Sequence, residues 1–268
     1  MFVLKDSSLD GISIHIAESR RTMGARAAAD IAEEIRTLLQ KQDGVRIIFA
    51  AAPSQSEMLA ALCAEKDIDW SRVTAFHMDE YIGLPAGAPQ RFGLWLRRAI
   101  FDHRNFAAVH LIEAGDDPAE TATSYAAKLR AAPIDIVCCG IGINGHLAFN
   151  DPPAYFDDPL TMKIVELDPQ CRQQQVDDGC FAALEEVPSR ALTITLPALL
   201  DAGAIFCTVP GVSKRKAVRR TVNDPIGPAC PAAALRRHPR STLYLDPDSA
   251  GDLALKIPLG CMTRISSK

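Results

Sequence analysis

No two cysteines in this chain are spaced C-x-x-C, although the sequence holds eight of them. That absence argues against a zinc ribbon or a thioredoxin-type redox pair. Several of the eight (Cys63, Cys138, Cys139, Cys171, Cys180, Cys207, Cys230 and Cys261) sit in apolar runs such as IVCCG and IFCTV. They read as buried free thiols of a reducing compartment. The opening stretch MFVLKDSSLDG has no apolar signal core, and no run approaches membrane-spanning length. The expectation is a cytoplasmic protein with no membrane partner. Positive charge is not in excess: 29 Lys and Arg stand against 33 Asp and Glu, a formal net charge of -4. Bulk charge gives no reason to expect nucleic acid, and an anionic small molecule would need a local basic site. The 20 residues before the first helix leave no room for a helix-turn-helix, and no basic recognition helix is found elsewhere. Repeats, low-complexity tracts and linkers are also lacking, so 1–268 reads as one domain.

What is present is an alternation. Residues 22–41 carry apolar side chains at helical spacing, and VRIIFAA (45–51) follows as a short apolar run suited to a strand buried on both faces. The pattern then predicts a helix near 56–66, a strand at 72–79, and helices at 90–101 and 117–130. Strands follow at 134–140, near 190–196 and at 204–209, with a helix at 213–222 and a last strand at 241–245. This order implies an α/β fold, a mostly parallel sheet with helices on both faces, Rossmann-like in its layering. The segment 151–189 breaks the rhythm with DPPAYFDDP and DPQCRQQQVDDG. It reads as a lid inserted over the sheet's carboxyl edge, where ligands bind in such folds.

The densest chemistry is in GIGINGHLAFNDPP, residues 140–153. Gly140, Gly142 and Gly145 permit a tight path after a buried strand, and Asn144, His146, Asn150 and Asp151 follow closely. A histidine near a carboxylate can work as a general acid/base, because the carboxylate orients the ring and stabilises its charged form. The competing reading is a hydrogen-bonded core histidine in a Gly-rich turn; the density of polar groups favours chemistry. The sequence argues against a dinucleotide fingerprint, since AFNDPP puts two prolines where the required helix should begin.

FHMDEYIGLP (76–85) ends a strand with Asp79 and Glu80. Adjacent residues of an extended chain face opposite ways, so the two acids should have different jobs, and solvated strand-end acids remain an equal reading. Cations gather at Arg172 in the proposed lid and at Lys214, Arg215 and Lys216 after VPGVS. A helix start following a Gly turn suits an anion, with Lys214 the best placed; Arg215, Arg219 and Arg220 read as a solvated face. In APSQSE, Ser54 to Glu57 fits a capping box, and the same helix start could instead hold a phosphate.

Together these motifs resemble the glucosamine-6-phosphate deaminase family, within the group that includes 6-phosphogluconolactonases. The resemblance runs from the strand before Ser54 to the strand after His238. It is carried by FHMDEYIGLP, GIGINGHLAFNDP, the arginine of DPQCRQQQ, EVPSRALTITL and the Gly211–Lys214 turn. It implies conversion of glucosamine 6-phosphate and water to fructose 6-phosphate and ammonia, with no cofactor and no metal. By resemblance Asp79 is the base between C1 and C2, His146 opens the ring, and Asn144 and Asp151 support it. Arg172, Lys214 and the backbone near Ser54 would hold the phosphate, with Glu80 and Gly145 as further substrate contacts. The implied partner is a small-molecule amino-sugar phosphate, and a homo-oligomer is left open. The chain departs from the family's pattern at three places: Asn144 for a frequent aspartate, Asp151 for the usual glutamate, and Ala51-Ala52-Pro53-Ser54 for Thr-Gly-Gly-Thr. The alternatives are a lactone hydrolase on the related fold and a binding protein without turnover.

Overall fold

The computed structural model describes residues 3–9 and 11–253; Cys261 lies outside them. The first half contains β1 (Val3–Leu9), β2 (Ile12–Ala17), α1 (Arg20–Leu39), β3 (Val45–Phe49), α2 (Ser56–Ala64) and β4 (Val73–His77). It continues with β5 (Asp79–Tyr81), α3 (Phe92–Ala99), β6 (Ala108–His110) and α4 (Pro118–Arg130). The second half contains β7 (Ile136–Cys139), β8 (Met162–Glu166), α5 (Pro169–Asp177), β9 (Arg190–Ile194) and α6 (Leu196–Leu200). It ends with β10 (Ala204–Val209), α7 (Arg215–Asn223), β11 (Ser241–Leu245) and α8 (Pro247–Ala250).

The main sheet has the order β1-β2-β11-β10-β7-β3-β4-β6. All neighbours pair in parallel except β1, which is antiparallel to β2 at one edge. Its central strands are buried on both faces, and the alternation within β3 shows it. Ile47 and Phe49 pack with the α1 and α2 residues Ile31 and Leu59, while Ile48 packs with Leu129 of α4 and Leu199 of α6. The continuous apolar runs of β7 and β10 have the same origin, since every residue in both is buried. The α/β layering therefore agrees with the sequence pattern. Helix α1 starts two residues before the expected position because Ser19 and Thr22 form a reciprocal capping box.

The sheet expected from the pattern needs correction at two strands. The run 72–79 is not one strand: β4 stops at His77, and Asp79–Tyr81 crosses into a second sheet of order β5-β9-β8. The 190–196 strand also belongs there, as β9, antiparallel to both its neighbours. This small sheet lies beside the carboxyl edge of the parallel one, and Asp79 sits at the seam. Strands β1, β2, β6 and β8 were not foreseen. The segment 151–189 contains β8 and α5, and α5 carries Gln174 and Gln175 onto the cavity described below. Among the described residues no helix is long and apolar enough to cross a membrane.

Candidate active site

The loop after β7 makes the first half of the site. Gly145 turns the chain at φ +93°, donating its N–H to Gly142 O (3.0 Å). The turn brings His146 back against Gly142, whose missing side chain is essential: a Cβ there would come within 2.2 Å of the ring. On its other edge the ring's Nδ1 meets Asp151 Oδ1 at 2.8 Å. Asn144 braces both partners, accepting the His146 N–H at Oδ1 (3.0 Å) and donating from Nδ2 to Asp151 (2.8 Å). Asp151 thus reaches the imidazole despite being one methylene shorter than glutamate. Burial pushes its carboxyl up, but the bonds and charge of His146, the Asn144 amide and the Asp168 N–H outweigh this and hold it below the ordinary range. A low-pKa carboxylate on Nδ1 leaves the opposite ring edge for proton exchange with a ligand.

Asp79 supplies the second half. It is 7% exposed and lines the cavity, and its carboxylate makes no hydrogen bond among the described residues. Burial first and the neighbouring Glu80 second push its pKa well above the ordinary value. A buried latch fixes its backbone. His77 Nε2 accepts the Ile112 N–H at 2.8 Å, which leaves Nδ1 to donate to Asp79 O at 2.9 Å. Burial lowers the His77 pKa to about 3, so the ring is a neutral strut rather than an acid.

Glu80 faces the other way, as the extended geometry requires. Oε1 accepts from the Tyr81 and Phe92 N–H groups (3.0 and 3.1 Å) and Oε2 from Gly93 (3.1 Å), with Arg91 Nε at 3.7 Å. It closes the N-terminus of α3 and is absent from the wall of the cavity described next. Gly145 is likewise outside the cavity lining; it shapes the turn and accepts the Ala232 N–H at 2.9 Å.

The cavity has a volume of about 70 Å³ and brings together Ser54, Asp79, Gly142, His146 and Lys214. Lys214 is 5% exposed; burial drives its pKa down to about 8 although Asp178 and Cys171 pull it back up. The Ser54 capping box is not formed: Ala52 is the residue before the helical turn, and no side chain caps it. Glu57 pairs with Arg20 instead, at 2.7 Å, which removes its opposition to an anion at this helix start. Arg172 is not in the cavity wall. Its guanidinium is bonded to Leu184 O (2.7 Å) and Val187 O (2.7 Å), holding the segment behind α5. Arg220, expected in solvent, braces the loop through Asn144 O (3.2 Å).

Sequence reasoning missed three glutamines. Gln55, fully buried, exchanges bonds with Thr208 Oγ1 (2.7 Å) and Thr208 O (3.1 Å), tying the Ser54 turn to β10. Gln174 accepts the Ile143 N–H (3.1 Å), and Gln175 joins the wall from the same helix. All three lie in stretches already singled out, APSQSE and DPQCRQQQ, but an uncharged amide there gave no sign of which way it would face.

With this arrangement in hand, similarity to known proteins becomes specific. The sequence model of the family described as Glucosamine-6-phosphate isomerases/6-phosphogluconolactonase matches residues 18–244. The chain belongs to that family. A glucosamine-6-phosphate deaminase of Listeria welshimeri is 32% identical over 237 residues, covering 88% of this chain and 97% of the relative. One from Halothermothrix orenii is 31% identical over 241 residues, covering the same shares. Among solved structures, a monomeric glucosamine-6-phosphate deaminase superposes with TM-score 0.82 at 24% identity, over 88% of this chain and 98% of its own. The 6-phosphogluconolactonase of Thermotoga maritima superposes at 0.72 with 16% identity, over 87% and 98%. These two likenesses establish that the fold is the isomerase/lactonase family fold.

Proposed function

We propose that the protein is a glucosamine-6-phosphate deaminase that isomerises its substrate to fructose 6-phosphate and releases ammonia. The observation that carries this reading is the buried Asp79 carboxylate, without a hydrogen-bond partner among the described residues, facing the same cavity as the His146–Asp151 couple. Lys214 and the Ser54 helix start form the cationic, N–H-rich end suited to the phosphate. His146, steered by Asp151 and Asn144, exchanges protons with the ring oxygen and the C1 hydroxyl, giving the open-chain aldehyde. Asp79 takes the C2 proton, made acidic by the adjacent C1 carbonyl, and returns it to C1. The resulting C2 imine adds water and expels ammonia. A carboxyl pushed up by burial is a stronger base when ionised, which matches this demand. No step requires a metal or cofactor. Residues 151–189 act as the lid of a single domain, with α5 covering the sugar. The buried free thiols fit a cytoplasmic setting.

Asp79→Asn tests the assignment. Ammonia and ketose production should fall by at least about 100-fold while sugar-phosphate binding is kept. Wild-type ammonia release from that variant would refute it. Hydrolysis of 6-phosphogluconolactone by the wild-type protein, without ammonia from the amino sugar, would move the assignment to the lactonases.

A further inference from the structure

Cys171 has no place in the deaminase steps, yet it is fully buried against the catalytic couple. An imidazole nitrogen of His146, a carboxylate oxygen of Asp151 and the Cys171 thiol sulfur lie within 4.8 Å of one another. Two segments supply them: the tight loop after β7 gives His146 and Asp151, and the first turn of α5 gives Cys171. A second polar group shares this buried space. The Tyr81 hydroxyl is buried without a hydrogen-bond partner, and after burial its acidity is governed by Cys171 and then Asp79.

We propose that His146, Asp151 and Cys171 form a binding site for a thiophilic divalent cation, Zn2+ in the first instance, and that occupancy shuts the enzyme off. Nitrogen, oxygen and sulfur ligands from three residues, with a fourth position left to water or a ligand oxygen, are the donor set zinc takes. The all-oxygen preferences of Mg2+ and Ca2+ do not fit it. Tetrahedral zinc, with bonds of about 2.0–2.3 Å, sets its ligand atoms roughly 3.3–3.7 Å apart. The present span closes to that by side-chain rotation of about an ångström. The catalytic cavity reaches His146 and gives the ion a way in. Binding requires the thiolate, so the Cys171 proton passes to the buffer as the S–Zn bond forms, and nothing is oxidised or reduced. The ion takes the imidazole lone pair and the Asp151 charge that ring opening uses. The inhibitory part of the proposal rests on the deaminase reading, whereas the site itself does not.

The test uses the intact protein, CoCl2 as a spectroscopic probe and ZnCl2 as competitor. Cobalt should bind with one-to-one stoichiometry and give tetrahedral visible bands with a thiolate-to-metal charge-transfer band. Zinc should bleach both, and Cys171→Ser should lack the charge-transfer band. Absence of that band in the wild-type protein, or its persistence in Cys171→Ser, would overturn the site. In ammonia release, zinc should inhibit the wild-type enzyme and a chelator should reverse it. Cys171→Ser should keep its basal rate and need about 10–100-fold more zinc for the same inhibition. Equal sensitivity of the two proteins would overturn the inhibitory role. A protein that gives the cobalt spectrum but makes no ammonia would retain the metal site and lose the deaminase reading.

Discussion

Replacing Glu80 by alanine is expected to weaken the fold and leave substrate binding intact. Its carboxylate is fully buried and accepts three backbone N–H groups, from Tyr81, Phe92 and Gly93. Each buried N–H left without an acceptor costs about 1–3 kcal/mol. Burial pushes the Glu80 carboxyl up even against these bonds and Arg91, so it is less than an ideal anionic acceptor and the low end applies. A total near 4 kcal/mol is reasonable. With an unfolding entropy of about 2.1 cal/mol/K per residue, a 268-residue chain loses roughly 2 °C per kcal/mol, hence about 7 °C in Tm. Glu80→Gln keeps one oxygen for Tyr81 and Phe92 but turns an NH2 group toward Gly93, so it should lose roughly half as much. Thermal unfolding beside steady-state kinetics, at a temperature below both midpoints, checks the claim. KM for the sugar phosphate should hold, and the acid limb of the rate profile should move to lower pH because Glu80 no longer raises Asp79. A variant with the wild-type midpoint and a raised KM would place Glu80 in the site and refute the reasoning.

Outcomes at three further residues are expected. Gly142→Ala should cut ammonia release by about 100-fold or more with little change in Tm, since the new methyl displaces the His146 ring; wild-type turnover would contradict that geometry. With Lys214 titrating at about 8, kcat/KM should fall as pH rises through 8 and the cation is lost. Lys214→Met should raise KM roughly 10–100-fold at pH 7. That substitution should also raise Tm at pH 7, with the gain fading toward pH 10.5, because below pH 8 the native state must keep a buried charge that the unfolded chain holds freely. For His77, held neutral down to about pH 3, the unfolded chain binds the extra proton below 6.5. Stability should therefore fall by up to about 1.4 kcal/mol per pH unit between 6.5 and 3, and His77→Asn should flatten that slope in denaturant titrations at graded pH.

The parallel sheet was legible because its strands are buried on both faces, which writes short continuous apolar runs into β3, β7 and β10. The pairing of His146 with Asp151 was legible because both lie in one turn whose glycines announce it. What sequence could not show was direction. Nothing in RVTAFHMDEY marks Met78 as the point where the chain leaves one sheet for another; that is set by pairing with β9, over a hundred residues away. The same limit applies to Arg172 and Glu80, expected as ligands: in the fold they bind backbone carbonyls and amides and lie outside the cavity wall. Strand β8 hid within a polar segment because it is an edge strand of which only Met162 is buried.

The two oxygens of Asp151 serve different masters. Oδ1 aligns the His146 ring, and Oδ2 accepts the N–H of Asp168, the residue from which α5 springs, at 3.3 Å. Asp168 in turn caps that helix through Gln170. The imidazole is therefore interlocked with α5, the proposed cover of the site. If α5 lifts, the carboxylate loses a partner that keeps it acidic, and its hold on the ring slackens at the same moment. Shutting out solvent and arming the acid–base pair become one event, and an open, empty site is left with its chemistry turned down.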